Sequence, residues 1–201
     1  MSDTVPHRIG LLGGSFDPPH LAHLIMAQDA QEAMQLNEFV FIPAAVSPFK
    51  HDRNQSTEQS RLEMLEAAVT PYKSDRNWSV DPLEIQRGGV SYSVDTVKSY
   101  RARFPHAELY WTLGADLLNT LTEWHRIEEM AAEVRFLAMH RPGYDFCASD
   151  LPEWVSCNKI EEHNMHISSS EIRSRVQQKR PIELFVPESV LSIIHAHQLY
   201  I

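Results

Sequence analysis

Residues Gly13–His23 read GGSFDPPHLAH and gather backbone and side-chain groups suited to holding an anion. The chain has only seven glycines in 201 residues, about half what the usual frequency of roughly 7% would give. Three of them, Gly10, Gly13 and Gly14, crowd this point. Paired glycines let a backbone turn sharply and approach a ligand closely. Asp17-Pro18-Pro19 stiffens the turn, and His20 and His23, at i and i+3 as a helix begins, share one face. The helix N-terminus adds unsatisfied N–H groups and partial positive charge. Backbone donors, a dipole and two imidazoles together suit a phosphate. Taken alone, a glycine pair after a strand is only a turn. The histidines could instead ligate a metal, but no cysteine or carboxylate stands at partner spacing for zinc. The familiar phosphate loops G-x-x-x-x-G-K-[ST] and G-x-G-x-x-G do not occur.

A second cluster lies at Ile167–Arg175, ISSSEIRSR. Ser168, Ser169 and Ser170 are good N-cap residues, and Glu171 suits a first turn. Ile172 falls on the core side, while Arg173 and Arg175 lie in the first turns. Hydroxyls at a helix start with an arginine one turn in make a second anion site. A well-capped helix with solvated arginines explains this segment, viewed alone, equally well.

Short apolar runs alternating with helical patterns must position these groups. Strands are expected at Arg8–Leu12, Phe39–Pro43, Leu109–Leu113 and Val134–Met139, each a nearly continuous apolar run. Helical spacing covers Leu21–Met34, Ser56–Val69 with Ser56 and Gln59 at capping-box distance, and a stretch from about Trp124 to Glu133. Ser169–Gln178 and Pro187–His197 complete the set, the last opened by its proline. Apolar strands alternating with helices indicate an α/β fold, a parallel sheet covered on both faces. Ligands of such sheets bind beyond the carboxyl ends of the strands, near the switch point. Ala44–Gln55 and Arg141–Glu153 are the longest stretches without regular pattern, each a functional loop or simply a long connection.

With 18 Lys+Arg against 27 Asp+Glu, the net charge is −9, which argues against a general nucleic-acid binder. It does not argue against a nucleotide pocket, which sets its own local field. Cys147 and Cys157 are the only cysteines and are expected to be reduced thiols of a cytoplasmic protein. No signal peptide is expected in Met1–His7, and no run approaches the length of a membrane span. One domain over 1–201 is expected, with a small helical part from about 168.

Taken together, GGSFDPPHLAH and ISSSEIR resemble the two signatures of the nucleotidyltransferase superfamily of adenylyltransferases, G-G-x-F-D-P-x-H-x-G-H and I-S-S-T-x-I-R. The first departs at Ala22, where the family has glycine, and the second at Ser170, a hydroxyl for a hydroxyl. Segments between them are similar to the bacterial nicotinate-nucleotide adenylyltransferase family. SPFKHD (Ser47–Asp52) resembles its P-x-x-K loop, Arg61 with Met64-Leu65 its R-x-x-M-L helix, and SYSVDTV (Ser91–Val97) its S-Y-T-x-x-T-L. LGADLL (Leu113–Leu118), Trp124 and Arg141-Pro142-Gly143 resemble its G-x-D-x-L, W and RPG, and LFVPESVLSIIHAHQLY resembles its carboxyl end.

The resemblance implies a Rossmann-like doubly wound sheet of nucleotidyltransferase type. It also implies transfer of AMP from ATP to nicotinate mononucleotide, giving deamido-NAD and pyrophosphate. It places Gly13, Gly14, Ser15, Phe16, His20, His23, Asp116, Ile167, Ser168, Ser169, Ser170 and Arg173 around ATP, with Lys50 closing over the phosphates. It places Ser93, Trp124, His125, Lys50 and Arg141 around the nicotinate nucleotide. Mg²⁺ is expected to be held by the nucleotide rather than by the protein, as in other phosphoryl transfers. Lys50 as a solvated lysine, Trp124 as a core residue and Asp116 as a helix cap stay open beside these roles. So do a phosphopantetheine or nicotinamide mononucleotide acceptor, a non-catalytic ATP sensor and a homo-oligomer. Neither nucleic acid nor membrane is an expected partner.

Overall fold

Ile9–Leu12 are buried on both sides of the chain, the pattern of a strand covered on both faces. They form the middle of β1 (Arg8–Gly14), which the first helix, α1 (Leu21–Met34), follows. A computed structural model describes residues 6–48, 56–140, 151–161, 163 and 165–201. The chain continues through β2 (Glu38–Pro43), α2 (Glu58–Val69), a 3₁₀ turn at Thr70–Tyr72 and α3 (Lys73–Arg76). Next come β3 (Trp78–Val80), α4 (Leu83–Arg87), α5 (Ser93–Arg103) and β4 (Glu108–Gly114). A 3₁₀ helix at Ala115–Glu123 leads to α6 (Ile127–Ala131), β5 (Arg135–Met139) and β6 (Cys157–Ile160). α7 (Ser169–Gln177) and α8 (Glu188–Ala196) close the list.

The strands form one sheet in the order β3-β2-β1-β4-β5-β6. The pairs β1–β4, β4–β5 and β5–β6 are parallel, with Gly10 opposite Tyr110, Trp111 opposite Phe136 and Ala138 opposite Lys159. This is the doubly wound order of a Rossmann-type sheet, in which the chain reverses its direction of travel after β3 and returns beside β1. The segment following β1 is therefore where the fold itself calls for a ligand.

Two compact units emerge. The first comprises the described parts of Met1–Leu12, Met26–Val40 and Tyr92–Asn164. Its core includes Ile9, Leu11, Phe39, Phe136, Leu137 and Ala138, all fully buried. α5 is tied to the segment after α6 by Arg101, whose Nε donates to Glu133 Oε2 (2.8 Å) and whose Nη2 donates to the Glu133 carbonyl (2.9 Å). The second unit comprises Gly13–Ile25, Phe41–Ser91 and Met165–Ile201. There α2 lies against α8, with the Ser189 hydroxyl donating to the Ala67 carbonyl (3.1 Å). No helix among the described residues is long and apolar enough to cross a membrane.

Two sequence expectations are corrected. Helix α2 begins after Thr57, whose Oγ1 accepts from the Ser60 N–H (3.1 Å). Thr57 is the cap, and Ser56 is released for a tertiary bond. The helix expected from about Trp124 to Glu133 is confined to Ile127–Ala131. Trp124 is extended and Arg126 left-handed (φ 52°), and neither conformation continues a helix. Arg126 is held there by a two-pronged pair with Glu129 (2.6 and 2.5 Å).

Gly10 shows how closely the first core is filled. A Cβ at that position would stand 2.5 Å from Phe39 Cδ2 and 2.6 Å from Leu36 Cδ1. Gly10→Ala should therefore destabilise the fold by about 1–3 kcal/mol through overpacking. That loss should lower the melting temperature by several degrees in a chain of this size. An unchanged melting curve would show that Phe39 and Leu36 give way freely.

Candidate active site

The second unit collects both signature segments. After β1 the chain turns through Phe16, held in the left-handed region (φ 48°), and a cis Asp17–Pro18 bond. A Cβ on Gly14 would meet the Phe16 ring at 3.2 Å, so the turn folds back on its own backbone. Ala22, where the family has glycine, is buried in the first turn of α1 and its methyl is accommodated there. His20 and His23 share one face as expected, their rings stacked at 3.7 Å between centroids. The Phe16 ring meets His23 edge-on at 4.9 Å. The His20 N–H donates to His23 Nδ1 (3.2 Å). With Nδ1 accepting, a neutral His23 carries its proton on Nε2 and so presents a donor.

The first turn of α1 is more occupied than the sequence suggests. The Leu21 N–H donates to the Phe185 carbonyl (2.9 Å) and the His23 N–H to the His20 carbonyl (3.0 Å). Side chains must accordingly carry more of any anion recognition here than backbone N–H groups do.

α7 brings the second signature to the first. Ser168 caps it, accepting from the Glu171 N–H (3.2 Å). The Ser169 hydroxyl donates to the Pro18 carbonyl (2.9 Å). Arg173 donates through Nη1 to the Asp17 carbonyl (2.8 Å) and through Nη2 to the Ser170 hydroxyl (3.2 Å). Ile167 and Ile172 are buried beneath these polar groups. Ser15 Oγ and Arg173 Nε are buried donors with no hydrogen-bond partner among the described residues. Such groups are costly unless something else satisfies them, and here they stand among residues suited to an anion.

Sequence reading passes over the residues that hold this arrangement. The Asp17 carboxylate is 1% exposed. Its Oδ1 accepts from the Ser56 hydroxyl and from the Tyr200 hydroxyl, the latter at 2.7 Å. Burial raises the Tyr200 pKa well above its ordinary value, and donation to Asp17 reinforces the shift while Ser56 opposes it. Tyr200 therefore stays a neutral donor. Arg61 is completely buried. It donates through Nη1 to the Ser15 carbonyl (2.8 Å) and through Nη2 to the Ala45 carbonyl (3.2 Å). Burial lowers its pKa, opposed by the nearby Asp17 charge. The local hint of these roles is that Asp17, Arg61 and Tyr200 fall in family-like segments.

In the first unit, Ser93 opens α5 just after Tyr92, whose ring lies 4.2 Å from that of His125. Trp124 is 9% exposed. Asp116 sits in the first turn of the 3₁₀ helix, whose N-cap residue is Gly114. Lys50 and Arg141, with most of the P-x-x-K loop and the RPG segment, lie outside the described residues. Among the described residues no group of three or more His, Cys, Asp or Glu is placed to hold a metal ion.

Residues 11–175 match the family model described as cytidylyltransferase-like. Proteins named probable nicotinate-nucleotide adenylyltransferase from Opitutus terrae and Gemmatimonas aurantiaca are each 39% identical to it, over 194 and 198 residues. Both alignments cover 96% of this chain, and 97% and 92% of the two relatives. The chain belongs to the nicotinate-nucleotide adenylyltransferases of the cytidylyltransferase-like family. Its fold matches the solved structure of Plasmodium falciparum nicotinic acid mononucleotide adenylyltransferase complexed with NaAD, at a TM-score of 0.78 and 20% identity. That match covers 96% of this chain and 97% of the other, so this adenylyltransferase shares the whole fold.

The Asp17 knot gives a direct test of what holds the adenylyltransferase site. Tyr200→Phe removes one of two hydroxyl donors from a buried carboxylate, a loss of about 1.5–3 kcal/mol for a charged hydrogen bond. Urea unfolding should show a lower midpoint at unchanged slope. A midpoint equal to wild type would mean that Tyr200 contributes nothing to the knot.

Proposed function

We propose that this adenylyltransferase transfers AMP from ATP to the phosphate of nicotinate mononucleotide, giving deamido-NAD and pyrophosphate. The observation that carries the reading is the convergence in one unit of the stacked His20–His23 pair and Arg173, hydrogen-bonded to the Asp17 carbonyl. An oxygen of the acceptor phosphate attacks the α-phosphorus of ATP in line. The bond from that phosphorus to the bridging oxygen breaks, and the electron pair leaves with pyrophosphate. The attacking group is already anionic, so no protein nucleophile is needed. Catalysis then consists of alignment and of neutralising the charge that grows on the transferred and leaving groups.

His23 Nε2–H and the His20 imidazole donate to the α- and β-phosphate oxygens. Arg173, Ser15 and the amides at Ser168–Ser170 take the distal phosphates, and the Gly13-Gly14 backbone allows the close approach. Lys50 closes over the phosphates, and Asp116 accepts from nucleotide hydroxyls. Ser93, Trp124, His125 and Arg141 hold the nicotinate nucleotide, Trp124 by stacking on the pyridine ring. The convergent groups are cations and N–H or O–H donors, a set that suits Mg²⁺ arriving on the ATP phosphates and water rather than in a carboxylate cage. Mg²⁺ bound to those phosphates supplies further charge neutralisation.

Pyrophosphate release from ATP and Mg²⁺, measured in parallel with nicotinate mononucleotide, nicotinamide mononucleotide and phosphopantetheine, tests the assignment. The first should be much the best acceptor. Comparable turnover of phosphopantetheine would sink the reading, and no release with any acceptor would leave only nucleotide binding.

The histidines make a second test. Donors that strengthen as charge develops lower kcat when removed, with little effect on substrate affinity. Removing one such donor costs on the order of 10²–10³-fold. His20→Ala and His23→Ala should each fold, bind ATP within a few-fold of wild type and turn over at least about 100-fold more slowly. A stable His23→Ala enzyme of normal kcat would take that ring out of the mechanism.

A further inference from the structure

Arg61 is the one fully buried arginine among the described residues, and its position in α2 sets it apart from the groups assigned to substrate. Its guanidinium ends on two main-chain carbonyls rather than on a carboxylate: Ser15 at 2.8 Å and Ala45 at 3.2 Å. Ser15 immediately precedes Phe16, whose backbone is left-handed and whose ring meets His23 at 4.9 Å. Ala45 follows the carboxyl end of β2, and its N–H donates to the Ser91 hydroxyl oxygen at 3.0 Å. One rigid fork thus spans the segments leaving two neighbouring strands. Lysine has the charge but a single point of attachment, so it cannot reproduce a planar two-carbonyl clamp. The Asp17 charge offsets part of the cost of burying the cation.

Resting on the adenylyl-transfer reading above, we propose that Arg61 is a positioning residue for catalysis. By clamping Ser15 to Ala45 it fixes the Phe16 ring, and through that ring the face and reach of His23. Misplacement of a catalytic group by about 1 Å, from a change that touches no substrate, can cost on the order of 100-fold in rate. The side chain is therefore part of the machinery without meeting ATP.

A double-mutant cycle in kcat separates this role from simple support of the fold, because coupled residues lose activity non-additively. Arg61→Lys, His23→Ala and the double variant are assayed with ATP, Mg²⁺ and nicotinate mononucleotide, well below each melting temperature. Arg61→Lys alone should lower kcat at least about 10-fold while the ATP KM stays within about three-fold. In the His23→Ala background the same change should cost less than about three-fold, since the group it positions is gone. Phe16→Leu leaves the guanidinium in place and is taken through the same cycle, with the same pattern expected. Where Arg61→Lys fails to fold, Arg61→Gln, which keeps one N–H donor for a carbonyl, is taken through the cycle with His23→Ala, with the same pattern expected. A variant that melts earlier yet keeps kcat within about two-fold, or a loss repeated in full without His23, overturns the positioning role. Wild-type enzyme that makes no dinucleotide overturns the functional reading instead.

Discussion

An ionised carboxylate in a protein interior must be met by donors or it opposes folding, and the second unit is organised around that requirement at Asp17. The side chain is 1% exposed and takes the hydroxyls of Ser56 and Tyr200 on one oxygen. The main-chain carbonyl of the same residue takes Arg173, and the nearby Ser15 carbonyl takes Arg61. Four stretches far apart in sequence are thereby fixed at one place: the turn after β1, the approach to α2, the first turns of α7, and the carboxyl-terminal tyrosine. Apolar cores tolerate repacking as long as volume is kept. Hydrogen bonds to buried charge do not, since both distance and direction count. Polar contacts of this kind therefore set how the two signature segments meet.

What is legible in the sequence follows the same division. GGSFDPPHLAH and ISSSEIR can be read because phosphate chemistry demands particular residue types at fixed spacings, and the spacing survives in the linear string. The strands through Ile9, Phe41, Trp111 and Leu137 are visible as apolar runs, because a strand buried on both faces leaves no polar alternation. Ser56 misleads for an instructive reason. The S-x-x-Q pattern is genuine, but the hydroxyl one residue later takes the cap and frees Ser56 for Asp17. No local rule ranks Ser56 and Thr57, because the deciding partner is 39 residues away. The stretch from Trp124 fails differently: a single left-handed residue, Arg126, breaks a helix without disturbing hydrophobic periodicity. β3 spans three residues and β6 reads CNKI, too short or too polar for any run to register. Arg61 is the largest omission as a site residue. An arginine within a helix looks solvated until the carbonyls it serves have been brought to it by tertiary folding.

A chain with a net charge of −9 that handles polyanions must build its positive field locally. Arg61 and Arg173 do this in different ways. The Arg61 cation is inside and committed to main-chain carbonyls. Arg173 is partly exposed and holds one carbonyl and one serine, leaving its Nε with no protein partner among the described residues. Fixed positive charge of this kind attracts ATP in its ground state as well as in the transition state, so by itself it favours binding more than turnover.

The role proposed for the two histidines corrects that balance. With Nδ1 of His23 accepting the His20 N–H, a neutral His23 offers a donor at Nε2, and a proton added at Nδ1 would have to displace that bond. A neutral donor gains comparatively little from an anion whose charge is already balanced, and gains more as negative charge accumulates during bond breaking. Stacking on His20 and the edge of Phe16 keeps the donor aimed, so no reorganisation is needed when that charge appears. In the proposed reaction, labour divides between Arg173, which gathers the substrate, and the histidine donors, which answer the developing charge. The Arg61 bond to the Ser15 carbonyl is the contact that, in the proposed positioning role, keeps the two functions in register.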